Sequence, residues 1–386
     1  MFEFCHKFAT QYFSSLSKNK NGAVSPFSVF VCLSMAKMGA GGKTLKEFIE
    51  VLGDDQEETK SVVKKFVHWE DNEFELKLAN AIFVKDGIRL IESFEQSLDE
   101  SFSALVQNVA LGTIDGETVV NDWIREQTKG LIDKVIKNTT GDDLAILVNA
   151  VYMKGKWVKE FTLSRKNEDF RTSAGEIVQP QMLKKECIFG FYIDKANQYK
   201  IAFFEYKFAE NSSDQWEMGV LLPDQQSQCS TKIADFLTFI SPENMKKFTN
   251  YSPDSRFLTK LHVLLPKVKA EAEIDLIPIL EKMGMSSAFN SSGANFSEML
   301  AVDEPVHFNE AKQRCYVDID EQGTEAAAVT YMNMKLMCSR EIEPEPPTPF
   351  HVLFPYIYFI FQPATGIILF VGIVNNPCAD EKQPPQ

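Results

Sequence analysis

The sequence predicts one large α+β domain. Three observations carry that reading. The 386 residues are 44 % hydrophobic, with 31 Phe, which is material for a sizeable core that includes sheet packing. Helical periodicity dominates up to about residue 136, and from Leu144 onward the chain turns strand-rich. Length alone would allow two or three domains. No Gly/Ser-rich or Pro-rich linker and no internal repeat divides the chain, so a single domain over 1–386 is the simpler solution.

The N-terminal stretch Met1 to Phe13 has the period of an amphipathic helix. Ser25-Pro26 begins the next helix, because Ser caps free amides and Pro suits the first turn. Its apolar run, Val29 to Met38, stops at Gly39-Ala40-Gly41-Gly42. Residues 43–52 and 56–69 read as helices, Leu78 to Val84 as a strand, and 117–136 as an amphipathic helix with Val120, Trp123, Ile124, Leu131 and Val135 near one face. Leu144 to Tyr152 is a nearly continuous apolar run, the pattern of a strand buried on both faces. Strands are expected at 201–207, 216–222, 257–268 and 313–320, and helices at 231–240 and 274–283. Phe350 to Cys378 contains no Asp, Glu, Lys or Arg, yet Pro355, Gln362-Pro363 and Gly366 interrupt it. Two buried strands joined by a turn at Gln362–Gly366 are therefore expected there, not a membrane span.

A net charge of −14 argues against nucleic acid as partner and weighs against a heparin-like polyanion. The local basic group Lys60, Lys64, Lys65 reads as a solvated helix face. Seven scattered cysteines, odd in number and without a Cys-x-x-Cys pair, point to reduced thiols instead of a disulfide frame or a zinc site. The first residues lack a basic start, a long apolar run and a small-residue cleavage site. A cytoplasmic protein, or one exported without a cleaved signal peptide and able to act outside the cell, is the expectation. The Asn-x-Ser/Thr triplets at Asn138, Asn211, Asn250, Asn290 and Asn295 would matter only in a secretory lumen.

Several chemistries fail on spacing. Gly39 to Thr44 imitates a phosphate loop, but Lys37 stands where the motif needs Gly, and a helix precedes it where a strand should. Asp318-Ile-Asp320 imitates a calcium loop, but Gln322 holds its fifth position and Val329 its twelfth, so the bidentate carboxylate is missing. The five histidines show no His-Glu-x-x-His spacing, and there is no Gly-x-Ser-x-Gly elbow. No cofactor and no metal is expected. A hydrolase would need catalytic residues converging from distant positions, including a His-containing cluster in a pocket.

The most informative segment is Glu321 to Thr330, a run of small residues between a strand and a polar, irregular stretch. Taken alone, Gly323-Thr324-Glu325-Ala326-Ala327-Ala328 would start a helix, since Ala is the best helix former. It is also well made to enter a sheet as a strand. Ala326, Ala327 and Ala328 impose little bulk, no Pro removes a ladder donor, and Glu325 alternates to the opposite face from Thr324 and Ala326.

The whole chain resembles the serpins. Ser25-Pro26-Phe27-Ser28 is similar to the family's Ser-Pro-x-Ser helix start. Asn149 to Trp157, with Phe161 following, resembles the central strand and the bend after it. Leu265-Pro266-Lys267, the hinge Glu321 to Ala328, Pro349-Phe350 and the closing Leu369-Phe370-Val371-Gly372 complete the series in order. The resemblance implies the serpin fold, with about three β-sheets, eight to nine helices and an exposed reactive-centre loop at about 322–348. It also implies a suicide substrate: a serine protease, or alternatively a cysteine protease, is trapped as an acyl-enzyme while the cleaved loop joins the main sheet. Loop insertion of this kind is a known family property. The expected partner is that protease, covalently bound, to a monomeric inhibitor. A non-inhibitory serpin with a carrier, chaperone or storage role is the alternative, against which the Ala-rich hinge speaks.

By resemblance Glu321 pairs with Lys267 near Trp157, where the loop first enters the sheet, and Ser25, Ser28, Asn149 and the position of Gln313 form the sheet-opening region. The family commonly places His at that last position. Gln313 can donate and accept, with Asn149 as expected partner, but does not titrate. Counting seventeen residues inclusively from Glu321 places the reactive bond between Met337 and Cys338, and counting back from Phe350 gives Cys338. Met337 would suit an elastase- or chymotrypsin-like protease, while Arg340, or Lys335, would suit a trypsin-like one. Cys338 would be oxidisable in an exposed loop. Glu341 to Pro349 reads as an extended spacer.

Overall fold

A computed structural model describes residues 1–17, 19–66, 68–70, 73–132, 135–208, 215–223, 241, 243–245, 257–301, 306–324 and 346–379. The elements run α1 (Phe2–Ser15), β1 (Gly22–Val24), α2 (Pro26–Gly39), α3 (Gly42–Leu52), α4 (Gln56–Phe66), β2 (His68–Glu70), β3 (Phe74–Lys85), α5 (Glu92–Phe102), β4 (Leu105–Val109), α6 (Ile114–Gln127) and β5 (Ala145–Lys156). They continue β6 (Thr162–Leu163), β7 (Phe170–Arg171), β8 (Ile177–Val178), β9 (Met182–Asp194), β10 (Tyr199–Glu205), β11 (Glu217–Pro223), β12 (Phe257–Pro266), β13 (Val268–Asp275), α7 (Ile277–Lys282), β14 (Phe308–Ile319), β15 (Gly323–Thr324), β16 (Thr348–His351), β17 (Tyr356–Phe361) and β18 (Ile368–Val374).

The strands form a seven-stranded sheet, a nine-stranded sheet and a two-stranded ribbon. The seven-stranded sheet runs β13-β14-β15-β5-β3-β2, with β4 beside β3 and with β5 and β14 also paired directly. The nine-stranded sheet runs β1-β18-β17-β11-β10-β9-β12-β16, with β6 beside β9. The mixed α+β class and the three sheets agree with the sequence reading.

α2 is buried almost all round, as its uniformly apolar run requires. Ser25 caps it by accepting from the Ser28 amide, and Pro26 occupies the first turn. The helix packs beneath β5, where Leu147, Val151 and Met153 join Val29, Phe30 and Leu33 in the main core. On the opposite face of β5, Ile146, Val148 and Ala150 build a second core with Val120 and Ile124 of α6. Both faces of β5 are therefore covered, as its apolar run predicts. Gly39–Gly42 is the junction of α2 and α3, not a phosphate loop, and Gly42 takes φ +53° there.

The C-terminal apolar segment forms the neighbours β17 and β18, joined by a turn in which Gly366 adopts φ +77° and the Gln362 amide donates to the Ile367 carbonyl. Boundaries shift elsewhere. The expected helix 117–136 ends at Gln127, because Lys129 and Gly130 take left-handed conformations. The expected helix 274–283 shrinks to α7, and the strand read as 257–268 splits at Lys267 into β12 and β13. The 56–69 helix stops at Phe66 and the chain turns into β2. The helix expected at 231–240 lies outside the described residues.

Candidate functional site

The site lies at the upper end of the seven-stranded sheet, where β5 and β14 separate. Lower down they are parallel neighbours, from Phe308 opposite Ala145 to Cys315 opposite Val151. Beyond that the two-residue strand β15 sits between them. Gly323 pairs with Lys156 and Thr324 with Gly155 on one side, and Thr324 pairs with Ile319 on the other. β15 runs antiparallel to both neighbours, so it marks the first rung of a gap one strand wide.

A turn built on Asp320 delivers the chain into that gap. Its Oδ1 accepts from the amides of Gln322 (2.8 Å) and Gly323 (3.0 Å). The residues that imitate a calcium loop thus form a side-chain-capped turn. Burial holds the Asp320 carboxyl above its usual range, offset in part by those two amides. Trp157 clamps the same turn: its Nε1 donates to the Asp320 carbonyl (3.0 Å) and its amide to the Gln322 carbonyl (2.8 Å), while the Phe161 amide donates to the Glu321 carbonyl (2.8 Å). Gly323 is required by space. A Cβ there would lie 1.9 Å from the Gly155 carbonyl oxygen.

Thr324 is 1 % exposed, and its hydroxyl bonds the Tyr206 hydroxyl at 2.9 Å. Tyr206 in turn stacks on Trp157, with centroids 4.5 Å apart at 20°. Lys267 Nζ lies 3.2 Å from Glu321 Oε2, with both side chains about one-third exposed at 34 % and 31 %. A pair that open to water contributes ~0–1 kcal/mol.

Deeper in the sheet a buried polar cluster ties β5 and β14 to α2. Gln313 Nε2 donates to Asn149 Oδ1 (2.6 Å) and to the Ser25 carbonyl (2.9 Å), and Gln313 Oε1 accepts from the Ser25 amide (3.1 Å). Asn149 Nδ2 donates to Ser28 Oγ (2.5 Å) and to Asn80 Oδ1 (2.7 Å). Gln313 and Asn149 are directly opposite in the register. Ser25, Ser28, Asn149 and Gln313 thus meet in one cluster, while Glu321, Gly323, Thr324, Trp157 and Lys267 meet at the mouth above it. Glu325, Ala326, Ala327 and Ala328 lie outside the described residues, as do Met337, Cys338, Arg340 and Lys335.

Sequence reasoning missed Asp320, Tyr206 and Asn80. Asp320 left a signal, an Asp two residues before Gln322-Gly323. Tyr206 and Asn80 left none, since their roles arise only from cross-strand placement. Among the described residues no group of three or more His, Cys, Asp or Glu could hold a metal ion. No helix among them is long and apolar enough to cross a membrane.

β5 and β14 thus part above a buried polar cluster, with β15 lying between them. The family model "Serpin (serine protease inhibitor)" matches residues 3–377. The chain belongs to the serpin family, a family of protease inhibitors and not of enzymes. Human Serpin B8 is 30 % identical, over 96 % of this chain and 97 % of that protein. The bovine leukocyte elastase inhibitor is 28 % identical, over 96 % and 98 %. Serpin48 of the insect Tenebrio molitor superposes with a TM-score of 0.80 at 26 % identity, over 97 % of this chain and 96 % of that one.

Proposed function

We propose that this chain is a suicide-substrate inhibitor of a serine-type endopeptidase, working by insertion of its cleaved reactive-centre loop between β5 and β14. The observation that carries the reading is β15, already paired on both edges at the mouth of the gap. The protease nucleophile attacks the carbonyl of the residue before the scissile bond, and the amine of the next residue leaves. The bond is assigned to Met337–Cys338, with cleavage after Arg340 as the variant for a trypsin-like enzyme. The acyl-enzyme ester remains on the hinge side.

Strand addition then competes with hydrolysis of that ester. Continuing the β15 register along β5 sets Ala326 opposite Met153, Ala328 opposite Val151 and Thr330 opposite Asn149. Even-numbered loop residues would face the main core, where Val151 and Met153 point, and Glu325 and Ala327 the other side. A strand from Gly323 to Met337 spans roughly 50 Å at about 3.3 Å per residue, so the tethered protease would be carried the length of the sheet. The Glu321–Lys267 pair and the Trp157 clamp hold the mouth closed until cleavage frees the strand.

The inhibitor is proposed to act as a monomer. A reducing compartment suits the free thiols of Cys5, Cys32, Cys187 and Cys315. Incubation with elastase-, chymotrypsin- and trypsin-like proteases tests the reading. The expected result is an SDS-stable complex near the summed mass with at least one of them, and a released peptide beginning at Cys338 or Glu341. Clean cleavage by every protease, with no such complex, would favour a non-inhibitory role.

A further inference from the structure

Among the described residues, the chain downstream of the reactive-centre loop re-enters the fold as β16, an edge strand held to β12 by a four-residue parallel register, Leu261 opposite Thr348 to Leu264 opposite His351. Phe350 is fully buried beneath it, and the Val352 amide donates to the Leu264 carbonyl at 2.8 Å. One side-chain bond crosses the same seam: His262 Nδ1 and His351 Nε2 face each other at 2.8 Å, with ring centroids 5.0 Å apart and planes at 76°. We infer that His262 and His351 form a proton-sensitive clasp that fixes β16, and with it the C-terminal anchor of the loop, and that releases when both imidazoles are protonated.

The chemistry follows from the two facing nitrogens. With both rings neutral, or with only one of them protonated, one of the facing nitrogens donates and the other accepts. With both rings cationic, two N–H donors face each other with no acceptor between them, and like charges repel across the half-buried seam. Two imidazoles alone make a poor metal site, and among the described residues no third ligand completes one.

Charges of both signs surround the pair, Glu186 among them in electrostatic contact with His262. On β9, Glu186 lies opposite His262 but is engaged by Lys260 at 2.7 Å, and Lys184 follows on the same strand. Around His351, Glu168 favours the cation, whereas His262 and Lys200 of β10 oppose it. Lys200 lies over the Phe350 ring at 5.7 Å. Burial, then His262, holds the His351 imidazole below its usual value.

The sign follows. A base whose pKa is depressed in the closed state binds fewer protons there than in the released strand, where it titrates near the ordinary value of about 6.5. The closed seam is therefore at full strength above that value. It weakens as pH falls from there toward the depressed value. For one linked proton the opening equilibrium rises by up to about tenfold per pH unit.

This inference rests on the proposed inhibitory reading only for its consequence, that a freed anchor slackens the loop; the clasp itself is tested without a protease. Amide hydrogen exchange of peptides covering 346–353 is compared at pH 7.5 and pH 5.5 in the intact chain, after correction for the intrinsic rate. The expected result is about tenfold less protection at pH 5.5 in the wild type, with β17 and β18 peptides unchanged, and a loss of that pH dependence in His262→Gln. NMR titration of His351 in the wild type gives a second readout, and a depressed value for that imidazole is expected. Equal protection at both pH values in the wild type, or the same pH dependence in His262→Gln, would overturn the clasp. A chain that traps no protease yet shows the pH-dependent seam would overturn the inhibitory reading alone.

Discussion

Gln313 sits where loss of a single side chain should be felt furthest. It is fully buried, and its amide bonds both the Ser25 backbone and Asn149 Oδ1. Gln313→Leu keeps the volume but leaves the Ser25 amide and Asn149 Oδ1 without those partners. Leaving a buried polar group unpaired costs about 1–3 kcal/mol, so a loss of roughly 2–4 kcal/mol is expected in urea denaturation. A change under about 0.5 kcal/mol would mean that the cluster does not hold β14 to α2. The identity of this residue is also where the sequence speaks most plainly. Gln in place of the family's usual His predicts that this position brings no titration to sheet opening. The sequence left no comparable signal for His262 and His351, which are 89 positions apart and meet only because β16 lies beside β12.

At the scale of elements, legibility follows the clarity of the periodic signal. α2 announces itself by its cap, its proline and its glycine stop, and β17 and β18 by an uncharged run broken at Gly366. β13 is hidden: Val268, Ala270, Ala272 and Ile274 alternate with charged residues, but the Ala, Glu and Lys content imitates a helix. The hinge carries the same ambiguity, and the β15 register resolves it in favour of a strand at Gly323–Thr324. That register yields a prediction for the residues that follow. Ala328 would enter facing the main core opposite Val151, and Glu325 would face away from that core. Ala328→Arg should turn the inhibitor into a substrate, because burying an unpaired guanidinium costs several kcal/mol and each 1.4 kcal/mol is about tenfold in partitioning. The stoichiometry of inhibition should rise at least about tenfold for Ala328→Arg and stay within about twofold for Glu325→Arg, as befits a surface substitution worth a few tenths of a kcal/mol. Equal effects of the two substitutions would show that the loop does not insert in the β15 register.

At the scale of the whole molecule, the proposed insertion turns on how β5 and β14 meet. β5 and β14 are parallel neighbours below and are parted above by only two residues of β15. An inserted strand would run antiparallel to both, exchanging a parallel seam for two antiparallel ones. About twelve further residues would gain ladder bonds on both sides, and at a net ~1 kcal/mol per residue the sheet would gain on the order of 10–15 kcal/mol. A chain of 386 residues has an unfolding entropy of roughly 0.8 kcal/mol/K near its midpoint. The expected rise in Tm on loop cleavage is therefore about 15 °C, read by calorimetry on cleaved and intact protein with no protease attached. The Gln313–Asn149 bond must break for the strand to pass, and the incoming Thr330, opposite Asn149 in the extended register, brings a hydroxyl able to replace it. Thr330→Val should therefore reduce the gain by about 2 °C, equivalent to about 1–2 kcal/mol for the orphaned amide. A Tm that does not move on cleavage would mean that the sheet stays closed, and the insertion mechanism would fall while the serpin fold stood.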